Sequence, residues 1–248
     1  MPVEYLSRLT RPERTARSNL HLGMVLAFVA GALNAGGFLA IGLYTSHMTG
    51  LVSMAADELV LGQVALAVGA LLAVASFVSG AAATAWMVNF SRHHWPRHVY
   101  LPSLLVEAGL LLVFGLVGGR LLAHELVSLS LTAALLCFAM GLQNALITKI
   151  SNAEIRTTHL TGLLTDIGIE LGKATYWNGL SAGVAERRVQ ANRARLRVHI
   201  RLVGAFFVGA LIGALGFKHL GFVTTVPLAL ALITLGLASW LRPGSALR

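Results

Sequence analysis

The stretch AGALNAGGFLAIGLYTSHMTG, Ala30–Gly50, decides how this chain folds, because two short pieces of it recur later in the sequence. GALNA at Gly31–Ala35 returns as GLQNA at Gly141–Ala145, and SHMTG at Ser46–Gly50 returns as THLTG at Thr158–Gly162. Short apolar segments often match by chance, but here polar residues also occur at the same positions of both copies. The chain therefore contains an internal repeat in which a His-x-Thr-Gly motif follows a long apolar run.

The composition is that of a membrane protein. Apolar residues make up 56% of the chain and charged residues only 12%, whereas a soluble domain is about half apolar and about one quarter charged. A membrane-spanning helix needs about 20 mostly apolar residues. The stretches that qualify are 20–44, 64–88, 101–119, 130–150, 200–217 and 221–241.

The repeat continues through these spans and predicts their arrangement. FVSGA at Phe77–Ala81 matches FVGAL at Phe207–Leu211, and Pro102 matches Pro227. Each half then holds three spans, so the second half enters the membrane from the opposite side. The predicted fold is an all-α membrane protein with six transmembrane helices, built as two inverted three-helix repeats around an axis in the membrane plane.

Each motif opens a segment that is too short to span a membrane, Met48–Gly62 in the first half and Leu160–Gly172 in the second. Segments of this length are typical of re-entrant or interfacial helices. Ser46 and Thr158 are suitable N-cap residues, which predicts half-helices beginning near residues 47 and 159. Each repeat should therefore carry one re-entrant half-helix.

The inverted symmetry predicts that the two half-helix N-termini face each other near the membrane midplane. Free backbone N–H groups and the helix dipole make such a point favourable for an anion. Gly50 and Gly162 lie in the first turns, where they permit close helix packing. The predicted substrate site consists of Asn34, Ser46, His47, Thr49, Gly50, Gln143, Asn144, Thr158, His159, Thr161 and Gly162. The alternative is that these side chains cap their own backbones or hold helices together.

Three carboxylates have separate interpretations. Glu107 lies inside the third span, so it is a candidate proton carrier; the alternative is that it reaches water at the cytoplasmic end. Asp166 and Glu170 share one helix face, with Lys173 placed to pair with Glu170. We expect that face to be the wet, cytoplasmic side of the second half-helix.

No metal, cofactor or catalytic activity is predicted. Cys137 is the one cysteine, which excludes disulfides and thiolate metal cages within the chain. His47 and His159 could form a symmetric metal pair, but no carboxylate or thiolate stands at a fixed spacing from them. Ser46 beside His47 is the only candidate for a nucleophile with a base.

The distribution of positive charge predicts the topology. With the N-terminus inside, 17 of the 19 lysine and arginine residues fall on the cytoplasmic side, as expected for membrane proteins. The net charge of +9 is thereby explained without nucleic acid. The predicted segments are a basic cytoplasmic N-terminus 1–19, a first repeat 20–119, a connecting loop 120–129, a second repeat 130–241 with a basic loop at about 173–199, and a cytoplasmic tail 242–248.

The sequence resembles the YoaK-type family of bacterial six-helix membrane proteins, a family of unknown function. The motifs that carry the resemblance are AGALNAGGFLAIGLYTSHMTG at Ala30–Gly50 and MGLQNA followed by IRTTHLTGLLTDIG within Met140–Gly168. The family typically has an aspartate where this chain has Asn34 and an asparagine where it has Leu51. The resemblance implies a bacterial inner-membrane location and no particular substrate, and the missing aspartate removes proton coupling at that position of the first span.

These features favour a multi-pass transporter or channel for a small solute, an anion or a polar molecule, over an enzyme. The alternatives are a structural or sensory membrane protein that docks a cytoplasmic partner through its arginine-rich loop, and, less favoured, a metal transporter or an intramembrane enzyme. The expected partners are the lipid bilayer and the solute. Assembly into a homo-oligomer is left open by the sequence.

Overall fold

The computed structural model describes residues 15–121, 125–151, 158–177 and 189–241, and within these ranges it contains helices and connecting turns but no strand. The helices are α1 (Ala16–Ile41), α2 (Met48–Val60), α3 (Val64–His94), α4 (Leu101–Leu121), α5 (Glu125–Ile150), α6 (Leu160–Thr175), α7 (Arg193–Leu220) and α8 (Thr225–Leu241), with a 3-10 turn (Gly221–Thr224) between α7 and α8. The all-α prediction is confirmed. The first helix ends at Ile41 and not at 44, because Gly42 adopts a left-handed φ of 71°.

Four helical stretches of the described residues are long and apolar enough to cross a membrane: Arg17–Ile41, Val64–His94, Leu131–Ile150 and Arg193–Ala238. The last of these includes α7, the 3-10 turn and α8. Helix α4 is apolar over Leu101–Leu116 but is shorter than the others. These lengths and compositions indicate a multi-pass membrane protein, and the number of six crossings stays a prediction.

Two helix pairs with very close backbones form the centre of the bundle. Helix α1 packs mainly against α7, and α3 packs mainly against α5. A Cβ atom added to Gly31 of α1 would collide with the carbonyl oxygen of Phe206, and one added to Gly141 of α5 would collide with that of Phe77. Small residues allow such approach between membrane helices. Glycine therefore sets the separation of both pairs.

Helices α4 and α8 form a third pair beside this centre. The Thr225 hydroxyl donates a hydrogen bond of 2.8 Å to the carbonyl oxygen of Leu111. The ring of Phe114 meets that of Phe222 edge to face, with ring centroids 5.2 Å apart. These contacts fix the turn between α7 and α8 against α4.

The two short helices pack on the long helix that follows each of them. Helix α2 lies on α3, where Leu51 and Ala55 join Ala70, Ala73 and Cys137 in one buried cluster. Helix α6 lies on α7 and buries Leu163 and Glu170. Each short helix thus presents its first turn at a position set by the long helix that follows.

Several predicted topology determinants lie outside the described residues. They are the arginines before residue 15, part of the connecting loop at 122–124, the segments 152–157 and 178–188 of the basic region, and the tail 242–248. The cytoplasmic placement of these segments stays a prediction.

Candidate functional site

The two His-x-Thr-Gly motifs line one cavity of about 620 Å³, which we call the larger cavity. The motifs are 112 positions apart in the sequence. The larger cavity is lined by Ser46, His47, Met48, Thr49, Phe77, Ala81, Asn144, Ala145, Thr148, Lys149, Thr158, His159 and Thr161. The starts of α2 and α6 therefore meet at the same space.

Two asparagines position these helix starts. In the first half, the backbone N–H and the hydroxyl of Ser46 both donate to Asn34 Oδ1, at 3.1 and 2.9 Å. In the second half, the Thr158 hydroxyl donates to Asn144 Oδ1 at 2.6 Å. After each long helix the chain turns back and is tied to an asparagine inside that helix.

These hydrogen bonds correct the predicted role of Ser46 and Thr158. The N-cap positions of α2 and α6 are His47 and His159, and neither cap makes a side-chain hydrogen bond to its helix. The two hydroxyls face the asparagines instead of the first free N–H groups. The predicted helix starts near residues 47 and 159 are nevertheless confirmed.

Gly50 and Gly162 also have a role different from the predicted one. A Cβ at Gly50 would lie 2.5 Å from Nδ1 of His47, and one at Gly162 would lie 2.6 Å from Nε2 of His159. Each glycine leaves room for the imidazole of the N-cap residue to lie over the first turn of its own helix. Neither glycine is among the residues that line the larger cavity.

Gln143 lies away from the cavity. Its side chain is fully buried, and its Nε2 donates a 3.0 Å hydrogen bond to the carbonyl oxygen of Leu26 on α1. Gln143 therefore holds α5 to α1, which is the alternative role considered for amide side chains within a membrane protein.

A second cavity of about 270 Å³, the smaller cavity, borders the same helix starts. It is lined by Asn34, Tyr44, Ser46, His47, Thr158, Leu160, Thr161 and Phe206. Asn34 is thus the one predicted site residue found in the smaller cavity alone. The two cavities share Ser46, His47, Thr158 and Thr161.

The first turns of α2 and α6 keep their backbone donors free of side-chain caps. By contrast, Thr15 caps α1 and Asn192 caps α7 through side-chain hydrogen bonds to Ser18 N and Arg195 N. An uncapped N-terminus that borders a cavity offers N–H donors and the positive end of the helix dipole to a solute.

Sequence reasoning missed several lining residues, above all Thr148 and Lys149 on the last turn of α5. Thr148 follows Asn144 by one helical turn, so the helical period could have placed it on the same side of α5. Its hydroxyl donates to the Asn144 carbonyl oxygen at 2.7 Å. The charge distribution predicts Lys149 only as one of the cytoplasmic cations.

Glu107 is not among the residues that line either cavity. Its side chain on α4 is only 1% exposed. Within the described part of the chain, neither of its carboxyl oxygens has a hydrogen-bond partner. The alternative in which Glu107 reaches water is therefore wrong for this structure, and its role as a proton carrier stays a prediction.

The carboxylates of α6 contact α7, and the Asp166 side chain remains 33% exposed. The predicted pair of Lys173 with Glu170 is confirmed at 2.9 Å, but Glu170 is only 3% exposed and its other oxygen accepts from Asn192 N at 2.6 Å. Asp166 pairs with Arg195 at 2.9 Å. The bond from Lys173 and the Asn192 N–H together hold the pKa of Glu170 below its ordinary value. These contacts join α6 to the start of α7.

No group of three or more histidine, cysteine or carboxylate side chains that could hold a metal ion is found within residues 15–121, 125–151, 158–177 and 189–241. Cys137 is buried among apolar side chains and carries no disulfide.

Comparison with known proteins identifies a family but no activity. The model of the DUF1275 family, described as a protein of unknown function, matches residues 22–238. No curated protein and no solved structure matches the chain. The match extends from α1 to α8 and includes both cavities. The chain therefore belongs to the DUF1275 family of proteins of unknown function.

Proposed function

We propose that this protein is a multi-pass membrane transporter for a small polar or anionic solute, which binds in the larger cavity. The observation that carries the proposal is that two uncapped helix starts from distant parts of the chain border one cavity. Paired half-helix N-termini at a central site are a recurrent design of secondary transporters. We further propose that α2 and α6 are the re-entrant half-helices of the two repeats.

The helix contacts support the inverted repeat. The close approach of Gly31 to the Phe206 carbonyl has its counterpart in the approach of Gly141 to that of Phe77. Gly141 follows Gly31 by 110 positions, and Phe206 follows Phe77 by 129. The first pair joins α1 to α7 and the second joins α5 to α3, as a two-fold axis requires.

A second set of contacts obeys the same relation. A Cβ at Gly80 would collide with the carbonyl oxygen of Phe138, and a Cβ at Gly209 with that of Phe28. These residues again differ by 129 and 110 positions. The packing therefore pairs Phe77 with Phe206, one residue earlier than the sequence match of FVSGA with FVGAL. Backbone packing defines the register better than two apolar strings do.

The unequal cavities support a carrier with alternating access over an open channel. Phe77 and Asn144 line the larger cavity, and their repeat equivalents Phe206 and Asn34 line the smaller one. Equivalent surroundings with volumes of about 620 and 270 Å³ are expected if one side of the site is open and the other is closed. In the proposed cycle the two cavities exchange their sizes.

The proposed location is the inner membrane of a bacterium, with both termini cytoplasmic, and the proposed narrower relationship is to the YoaK-type proteins. Under this topology the end of α5 points to the cytoplasm, so the larger cavity opens inward. The described cations at the start of α7 lie on the same side. These are Arg193, Arg195, Arg197 and Arg201.

Solute counterflow into vesicles tests the function. Purified protein is reconstituted, preloaded with one of a panel of small anions and neutral polar solutes, and assayed for uptake of the labelled solute. Thr161→Val removes a hydroxyl at the cavity, and Thr175→Val at the far end of α6 is the matched control. We expect uptake that Thr161→Val reduces and Thr175→Val leaves unchanged. Absence of uptake for every solute, or equal uptake by both variants, would contradict the proposal.

A further inference from the structure

Lys149 is the one lysine or arginine that lines either described cavity. It lies on the last turn of α5, directly after Thr148, which is one turn from Asn144. Within the described residues no carboxylate forms an ion pair with its amine, whereas Lys173 and Arg195 are paired with Glu170 and Asp166. The larger cavity therefore contains a cationic group whose charge no described carboxylate balances.

An unbalanced cation at such a position favours an anionic ligand. Lys149 is half-buried, and a partner of opposite sign stabilises a cation more strongly there than in bulk water. Thr49 and Thr161 face the same cavity with exposed side chains, and threonine hydroxyls can donate to an anion. One fixed cation with surrounding neutral donors suits a single negative charge better than two.

Part of the lining is apolar. Phe77, Ala81, Met48 and Ala145 border the larger cavity together with the polar groups. A volume of about 620 Å³ lies within the range of roughly 300–1,000 Å³ that is usual for small-molecule sites. An inorganic ion would leave the apolar wall without a partner, so the lining fits a ligand that has an apolar part.

The two repeats differ at this position. Leu39 of α1, which lies 110 positions before Lys149, is the repeat equivalent, and it lines neither cavity. The cation is thus confined to the larger cavity. An anion is therefore expected to bind more tightly there than in the smaller cavity.

We propose that the larger cavity binds a small organic monoanion, with its carboxylate at Lys149 and its apolar part against Phe77. The binding site itself requires no transport. The inference rests on the proposed function only where it treats the bound anion as the transported solute. It names the class of solute: a carboxylic acid with one charge and a small apolar body.

Calorimetric titration of the purified full chain in nanodiscs of uncharged lipid tests this assignment. The ligands are acetate, butyrate, octanoate and benzoate, the uncharged butyramide and benzamide, inorganic phosphate, and palmitate. Lys149→Met removes the charge, Lys149→Arg keeps it, and Lys218→Met removes an exposed lysine of α7 as the matched control. Size-exclusion chromatography checks that each variant is folded.

We expect butyrate and benzoate to bind more tightly than acetate or phosphate, and about ten-fold or more tightly than their amides. Lys149→Met should abolish the preference for carboxylate over amide, and Lys149→Arg and Lys218→Met should retain it. Affinity that continues to rise up to palmitate would overturn the small apolar body and identify the ligand as a long-chain fatty acid.

Equal binding of benzoate and benzamide, a full preference in a folded Lys149→Met variant, or no binding of any carboxylate would each overturn the inference. The proposed function fails separately. Carboxylate binding without counterflow would contradict transport and leave the site standing. Carboxylate uptake that Lys149→Met does not change would contradict the site and leave transport standing.

Discussion

Replacement of Gly80 by alanine gives a quantitative test of the α3–α5 crossing. A Cβ at this position would collide with the carbonyl oxygen of Phe138, a backbone atom that cannot rotate away. The helices must move apart, and overpacking of this kind costs about 1–3 kcal/mol. Alanine also favours the helix over glycine by about 1 kcal/mol. The net loss of stability is therefore up to about 2 kcal/mol.

Gly69 provides the control on the same helix. No described atom lies within 4 Å of a Cβ placed there, so Gly69→Ala gains helix propensity without a collision. The two variants should differ by about 1–3 kcal/mol. At about 2–4 °C per kcal/mol for a chain of this length, Gly80→Ala should unfold about 2–12 °C below Gly69→Ala.

The assay is thermal unfolding in detergent, followed by loss of the monodisperse size-exclusion peak. The same comparison can be made on α7, where Gly209 meets the carbonyl oxygen of Phe28 and Gly204 has no described atom within 4 Å of its Cβ position. Equal unfolding temperatures for Gly80→Ala and Gly69→Ala would refute the close approach, and with it the main support for the inverted repeat.

Three further predictions concern the site, the α6–α7 contact and the topology. Thr161→Val should weaken solute binding by roughly five- to one-hundred-fold, since a buried polar group of the ligand loses its partner; calorimetry measures this, and unchanged affinity would exclude Thr161 from the site. Glu170→Gln should speed hydrogen exchange in α6 at neutral pH. Because the pKa of Glu170 is lowered in the folded state, its stabilisation is complete above the ordinary glutamate pKa and is lost as the pH falls through the folded-state value. The wild type should therefore approach the variant only in acid, and identical exchange at neutral pH would contradict the contact. A cysteine at position 95 should resist an impermeant reagent added outside intact cells, and ready labelling would contradict the predicted topology.

The fold could be predicted to a large extent from apolar length and from the repeat. Every predicted span lies mainly on an α-helix, because an unbroken run of about 20 apolar residues satisfies its own backbone in a membrane as a helix. The helix pairs were not predictable in detail. They depend on which glycine meets which carbonyl, as Gly31 and Phe206 show, and short apolar strings do not specify that register.

The candidate site was predictable where polar residues recur in both halves of the sequence, and not elsewhere. His47, Thr49, His159 and Thr161 were found because the motif recurs, and all of them line the larger cavity. Lys149 has no counterpart in the first repeat, so the symmetry argument could not identify it. The roles of Ser46 and Thr158 were assigned by local capping preference, but asparagines that lie 12 and 14 positions earlier in the sequence compete for the same hydroxyls.

The most direct test of the central claim is counterflow through a protein that can be blocked at the cavity. Thr161→Cys in a Cys137→Ala background places the one thiol at one of the residues that both cavities share. Vesicles that contain this variant are assayed for butyrate uptake before and after treatment with a bulky thiol reagent. The account predicts that modification stops uptake and that butyrate slows the modification. Full uptake by the modified protein would show that solute does not pass between the two helix starts.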